Sequence, residues 1–121
     1  MTEEKRQLLL KDLCARLPYS IWGLHRGEDL PLYVIDDSGA YMVLGYNAWF
    51  NLDTVPFKPY LRPMSSMTEE EKEEESDLWN EHDTNLIRGM LGFYCRHHLD
   101  WNNLIPIGLA LEAPEGMYKK D

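Results

Sequence analysis

The sequence has few cysteines and no long apolar run. Its two cysteines, Cys14 and Cys95, lie far apart on segments that read as helices, so we expect small buried hydrophobic residues rather than a disulfide framework. The first segment, MTEEKRQLLLKDLCARL, begins with acids and lacks the apolar stretch of a signal peptide or a membrane span. These features predict a cytoplasmic protein without a membrane partner.

Clusters of basic residues are also missing. The longest are Lys5-Arg6 and Lys119-Lys120, whereas binding to DNA or RNA depends on several lysines and arginines that neutralise phosphates. The net charge of −9 is concentrated in one place, because residues 69–83 contain nine acids and one base. Nucleic acid is therefore not an expected partner.

Sequence signatures of common enzymes are absent as well. There is no G-x-S-x-G, no P-loop and no G-x-G-x-x-G, which excludes the usual machinery for acyl transfer, nucleotide hydrolysis and dinucleotide binding. Ser65 and Ser66 precede a predicted helix, where hydroxyl groups commonly serve as turn and cap residues. The sequence predicts no cofactor and no catalytic residue.

What is present fits a single α+β domain over residues 1–121, with an N-terminal helix, a small three- to four-stranded antiparallel sheet and C-terminal helices. Apolar residues make up 44% of the chain, which is typical of a globular domain. Spacing of leucines predicts the helix over residues 3–16, with Pro18 ending it. Short apolar runs between turn residues predict the strands: Tyr19–His25, Leu32–Ile35, Tyr41–Tyr46 and a fourth around Trp49–Val55.

The second half of the chain begins with a loop and a strong helix start. Three prolines in residues 56–67 argue against regular structure there. Thr68 and Glu71 then form a capping-box pattern that opens a glutamate-rich helix reaching about residue 83. A further helix is predicted over residues 84–97, Asp100 is predicted to cap a short turn, and the tail either adds a strand or lies extended over the core.

Two long motifs carry a resemblance to a known group of sequences. They are KPYLRPMSSMTEEE and HHLDWNNLIPIGLALEAPEGMY, accompanied by the early KDLCARLPY. With them the chain resembles a family of short uncharacterised proteins of bacterial prophages and mobile elements, over almost its whole length. The resemblance implies a phage or mobile-element context and an α+β domain, but it carries over no functional residue.

Ligand atoms suited to zinc occur near the end of the last helix. Cys95, His97 and His98 follow His82 and Asp83, yet Cys95 has no CxxC partner and neighbouring histidines point about 100° apart on a helix. We interpret the two histidines as helix C-terminal residues that interact with the dipole. The sequence predicts no metal.

Arg62 is the residue with the clearest chemical alternatives. It either pairs with an acid of the following helix, such as Glu69, or presents its guanidinium to an anionic ligand, with Tyr60, Trp49 and Tyr46 nearby. Three functions remain open. They are a non-enzymatic interaction module for a host or phage protein, a small ligand-binding domain or enzyme with a site near residues 56–67, and an acidic DNA mimic. The sequence specifies no oligomeric state.

Overall fold

The computed structural model describes residues 2–80 and 86–118, and within them the chain forms an α+β fold with one six-stranded sheet. The helices are α1 (Glu3–Arg16), α2 (Glu69–Asn80) and α3 (Leu86–Arg96). The strands are β1 (Trp22–His25), β2 (Glu28–Ile35), β3 (Ala40–Val43), β4 (Phe50–Asn51), β5 (Phe57–Leu61) and β6 (Leu111–Glu112). The α+β class is confirmed, whereas the prediction of three to four strands is wrong.

Helix α1 has the predicted bounds because its ends carry strong signals. The Thr2 side chain accepts a hydrogen bond from the Lys5 amide at 3.2 Å, and two glutamates occupy the positive end of the helix dipole. Pro18 lies in a 3₁₀ turn over Leu17–Tyr19 directly after the helix. Leu9, Leu10 and Leu13 are buried, but Cys14 is exposed, so the prediction that Cys14 is a buried residue is wrong.

Tight turns connect the first three strands into a meander. Arg26 and Gly27 both have positive φ, at 51° and 82°, as a two-residue hairpin turn requires. The Asp36 carboxylate accepts hydrogen bonds from the Ser38 and Ala40 amides and so closes the second turn. β2 is longer than the predicted strand Leu32–Ile35, because residues 28–31 also pair with β1.

Strand order in the sheet is β4-β3-β2-β1-β5-β6, with every pair antiparallel except β5 and β6, which are parallel. β4 contains only two residues of the predicted fourth strand. β6 arises from the tail, so the tail adds a strand. The sheet is therefore mixed rather than antiparallel.

β5 overturns the prediction that residues 56–67 lack regular structure. Pro59 lies in this strand opposite Gly23 of β1. The Leu61 carbonyl faces β6, because it accepts from the Ala113 amide at 2.8 Å. Backbone groups alternate along a strand, so the nitrogen of Pro59 also faces away from β1. The proline therefore removes no hydrogen bond from the β1–β5 pairing, which is where a proline is tolerated in a sheet.

The helix-start and turn predictions in the second half are confirmed. The Thr68 amide donates to Glu71 Oε1 at 2.8 Å, and the Glu71 amide donates to Thr68 Oγ1 at 3.2 Å. The Asp100 carboxylate accepts from the amides of Leu104 and Ile105. Residues 81–85, which include the end of the first predicted helix and the start of the second, lie outside the described residues.

One face of the sheet packs on α1 and on the segment before β6. Their buried side chains form a single core, which includes Leu9, Leu13, Ile21, Leu32, Tyr41, Phe57, Leu61, Leu104 and Ala110. Helix α3 contacts α1 and α2. Among residues 2–80 and 86–118, no helix has the length and apolar content needed to cross a membrane.

Candidate functional site

Arg62, the residue with the clearest predicted chemistry, lies directly after β5 and binds Glu71. Its two terminal nitrogens each lie 2.7 Å from a different Glu71 oxygen, and they also donate to the carbonyls of Ser66 and His97. The acid is not Glu69, whose side chain is 89% exposed and lies 3.4 Å from Lys72. The capping box explains why Glu71 rather than Glu69 pairs with Arg62, because it turns the Glu71 carboxylate back toward the loop before α2.

Glu71, which is itself buried, is the centre of a small network of partly exposed side chains. Hydrogen bonding to Arg62, supported by the Thr68 amide, lowers the pKa of Glu71 to about 2. His97 Nδ1 lies 3.0 Å from the same carboxylate, and His97 Nε2 lies 3.2 Å from Glu74. Arg62 therefore links the segment between β5 and α2 to α2 itself and to the end of α3. Of its two predicted roles, this is the pairing with an acid of the following helix.

A cleft of about 960 Å³ opens beside this network. Its charged lining residues are Arg62, Glu70, Glu71, His97, Glu112 and Glu115. The two basic side chains of the cleft both lie against Glu71, so neither is free to hold an anionic ligand. Of the described hydroxyl groups that line the cleft, the Ser66 hydroxyl donates to the Pro63 carbonyl and the Thr68 hydroxyl accepts from the Glu71 amide.

The other predicted binding residues lie elsewhere. The Tyr60 hydroxyl donates to Asp29 at 2.6 Å, and the Tyr46 hydroxyl donates to Glu28 at 2.7 Å. Trp49 is 56% exposed. None of these three residues lines the cleft beside Arg62. The expected site formed by all four residues is not assembled.

The zinc candidates are occupied by other contacts. Both ring nitrogens of His97 face carboxylates, the His98 ring stacks on Tyr118 with centroids 3.7 Å apart, and burial raises the pKa of the Cys95 thiol to about 11. In the described parts of the chain, no group of three or more His, Cys, Asp or Glu side chains could hold a metal ion. His82 and Asp83 lie outside those parts.

An exposed apolar surface covers the side of the sheet opposite α1. It consists of nine side chains from β1, β2, β3, β5 and β6 or their ends, which we call the outer face: Trp22, Leu24, Pro31, Tyr33, Val34, Met42, Leu44, Tyr60 and Leu111. Tyr33 is 61% exposed, Leu44 55% and Trp22 37%. The remaining six are partly buried.

The register of the strands brings these side chains together. Trp22 lies opposite Pro31, and the Leu44 amide donates to the Pro31 carbonyl, so one row crosses three strands. Tyr60 lies opposite Leu111 at the other side of the sheet. Two charged residues, Asp29 and Lys58, lie opposite Leu24. Large apolar surfaces with a polar rim commonly mark interaction sites.

A signal for this surface exists in the sequence and was missed. Residues 30–35 and 40–44 are uninterrupted apolar runs, whereas a strand with one solvated face alternates apolar and polar residues. Such runs indicate strands that are covered on both faces. α1 covers one face, and the described residues place no helix over the other.

Comparisons with protein-family models, curated proteins and solved structures found no match.

Proposed function

We propose that this protein is a non-enzymatic interaction module that binds a partner protein through the outer face. The observation that carries the proposal is the pair of uninterrupted apolar runs in β2 and β3, whose outward side chains Tyr33 and Leu44 remain mostly exposed. Burying large aromatic and aliphatic side chains supplies most of the free energy of protein association. A partner surface would cover the second face of the sheet.

The partner we propose is a different protein rather than a second copy of the chain. Each copy carries a net charge of −9, so two copies repel one another at physiological ionic strength. A partner with an apolar patch and a mostly basic surround complements this charge and is attracted over a longer range. On the strength of the resemblance in the sequence motifs, we propose that this partner is a host or phage protein.

The geometry favours this role over the acidic DNA mimic. Three of the glutamates in α2 point inward, where Glu71 binds Arg62, Glu74 binds Arg96 and Glu75 accepts from the Tyr94 hydroxyl. The described part of α2 leaves four acids exposed: Glu69, Glu70, Glu73 and Asp77. Much of the acidic run therefore serves to hold the loop and α3.

Affinity capture with matched variants tests the proposal. Tyr33 on the outer face and Trp79 on α2 are both 61% exposed, so Tyr33→Glu and Trp79→Glu make similar changes on different surfaces. Each tagged variant is used to capture proteins from the native host, and the captured partner is then purified and its affinity measured. We expect Tyr33→Glu to abolish binding and Trp79→Glu to leave it within about twofold, since a charge at the centre of an apolar interface is costly to bury.

Thermal unfolding of both variants checks that the fold is intact. A partner that binds both variants equally, or that is lost only with Trp79→Glu, contradicts the outer face as the docking surface. A partner that is a second copy of the chain contradicts the proposed heterologous interaction.

A further inference from the structure

A depression continues the outer face beside the turn between β1 and β2. It has a volume of about 290 Å³, and its apolar walls are formed by Leu24, Val55, Pro56 and Leu111. Leu24 and Leu111 also belong to the outer face. The depression is therefore part of the surface that a partner on the outer face would cover.

Two basic side chains, Arg26 and Lys58, also line the depression. Arg26 directly follows β1 in the tight turn, and Lys58 lies opposite Leu24 in the pairing of β1 with β5. Within residues 2–80 and 86–118, neither basic side chain forms a hydrogen bond or an ion pair. Both cations are therefore available to a ligand in the depression.

The acids of the neighbouring strand β2 have other partners. Glu28 accepts from the Tyr46 hydroxyl at 2.7 Å, and Asp29 accepts from the Tyr60 hydroxyl at 2.6 Å. None of the described residues that line the depression is an acid. The cleft of about 960 Å³ differs, because both of its basic side chains lie against Glu71. In a chain of net charge −9, the depression is thus a local site of uncompensated positive charge.

We propose that this depression binds an Asp or Glu side chain of the partner together with a large apolar residue beside it. The apolar side chain would fill the depression, and the carboxylate would bind Arg26 and Lys58. Hydrogen bonds between ionised groups are about twice as strong as those between neutral groups. One acid within a mostly basic partner surface would also fix the orientation in which the partner docks.

The shape of the depression favours a side chain of a protein over a free small molecule. Sites for small molecules usually have volumes of about 300–1,000 Å³ and enclose most of the ligand. This depression lies at the lower limit, and three of its lining residues, Arg26, Gly27 and Pro56, are exposed. The inference deepens the proposed function and rests on it, because the partner's chain would continue from the depression over the outer face.

Selection from a phage-displayed library of random twelve-residue peptides tests the inference. We expect the selected peptides to share an Asp or Glu next to a large apolar residue. In a synthetic version of the best peptide with both ends blocked, replacement of that acid by its amide should weaken binding about tenfold. Replacement of the apolar residue by Ala should weaken binding as well. These changes leave the protein untouched, so their effects do not depend on the folding of a variant.

A charge swap gives the second readout. Lys58→Glu should weaken binding of the acidic peptide about tenfold, whereas Lys11→Glu, the same change on the exposed side of α1, should leave it within about twofold. A peptide in which Lys replaces the shared acid should bind the Lys58→Glu variant more tightly than it binds the wild type. Such a rescue also shows that the variant is folded.

Four results overturn the inference. They are selected peptides without a shared acid, binding that tolerates both the amide and Lys58→Glu, equal weakening by Lys11→Glu, and binding that is lost when the carboxyl end of the peptide is blocked. A captured partner that requires Tyr33 but tolerates Lys58→Glu also overturns it and leaves the proposed function intact. Peptides that behave as expected, beside a partner that tolerates Tyr33→Glu, support the depression as a site and contradict the proposed function.

Discussion

At the scale of single residues, the most unusual feature is a buried ion pair inside α1. Arg16 is fully buried, and its Nε lies 2.7 Å from Asp12 Oδ2. The same guanidinium donates to the Leu99 carbonyl at 2.6 Å and lies 4.3 Å from the centre of the Trp101 ring. The pair thus ties α1 to the segment after α3, and Arg16 Nη1 has no hydrogen-bond partner among residues 2–80 and 86–118.

Removal of Asp12 alone should lower the free energy of unfolding more than replacement of both Asp12 and Arg16. Asp12→Ala leaves Arg16 buried without a counter-charge, and we expect a loss of about 3–5 kcal/mol in the free energy of unfolding. The double variant Asp12→Leu with Arg16→Met buries two apolar side chains instead and should lie much closer to the wild type. Urea denaturation measures both. Equal losses in the single and double variants would contradict this account.

Glu71 predicts how stability depends on pH. Its pKa in the folded protein is about 2, below the ordinary value of 4.5, so the unfolded chain binds more protons between these values. Its contribution is therefore complete above pH 4.5 and is lost as the pH falls toward 2. Glu71→Gln should be less stable than wild type at pH 7, and the gap should close in this window.

Denaturation of wild type, Glu71→Gln and Glu69→Gln across pH 2–7 checks this prediction. Glu69 is the matched control because its side chain is 89% exposed. If the gap between wild type and Glu71→Gln does not change with pH, or if Glu69→Gln behaves in the same way, the Arg62–Glu71 pair does not control acid stability.

At the scale of secondary-structure elements, the close pairing of β1 and β5 depends on a glycine. A Cβ atom on Gly23 would lie 2.8 Å from the Lys58 carbonyl oxygen and would also meet the ring of Phe57, which is fully buried. Backbone cannot move aside as a flexible side chain can. Gly23 therefore allows the two strands to approach and Phe57 to fill the core.

Gly23→Ala should destabilise the protein by about 1–3 kcal/mol, since it overpacks this site. Gly89→Ala is the matched control, because the nearest atom to its added Cβ is Leu78 Cδ2 at 3.8 Å, an ordinary contact. In helix α3 that change should raise stability by about 0.5–1 kcal/mol. Thermal unfolding measures both, and a neutral Gly23→Ala would mean that the strands are not closely packed there.

Elements with strong local signals were predictable, and those that depend on distant partners were not. The bounds of α1 and the Thr68–Glu71 cap follow from nearby residues alone. β5 and β6 do not, because Pro59 is tolerated only through its orientation toward β6, and β6 has just two residues. For the same reason the sequence predicts that Arg62 pairs with an acid of α2, but it does not identify that acid as Glu71.

At the scale of the whole molecule, the sheet has a helix layer on one face and an apolar outer face on the other. The uninterrupted apolar runs of β2 and β3 indicate strands that are covered on both faces. Only the fold shows that α1 covers just one of these faces. The grouping of Tyr46, Trp49 and Tyr60 with Arg62 also depended on the fold. Tyr46 and Trp49 lie between β3 and β4, which β2 and β1 separate from β5 in the sheet, whereas Tyr60 belongs to β5 and its hydroxyl is bound to Asp29.

The central claim is that the outer face binds another protein, and site-specific photo-crosslinking tests it most directly. A benzophenone amino acid replaces Tyr33 in one version of the chain and Trp79 in the other, two positions of equal exposure on different surfaces. After irradiation in the native host, we predict one defined adduct with a different protein from position 33 and none from position 79. No adduct at position 33, an adduct with a second copy of the chain, or the same adduct from both positions would contradict the claim.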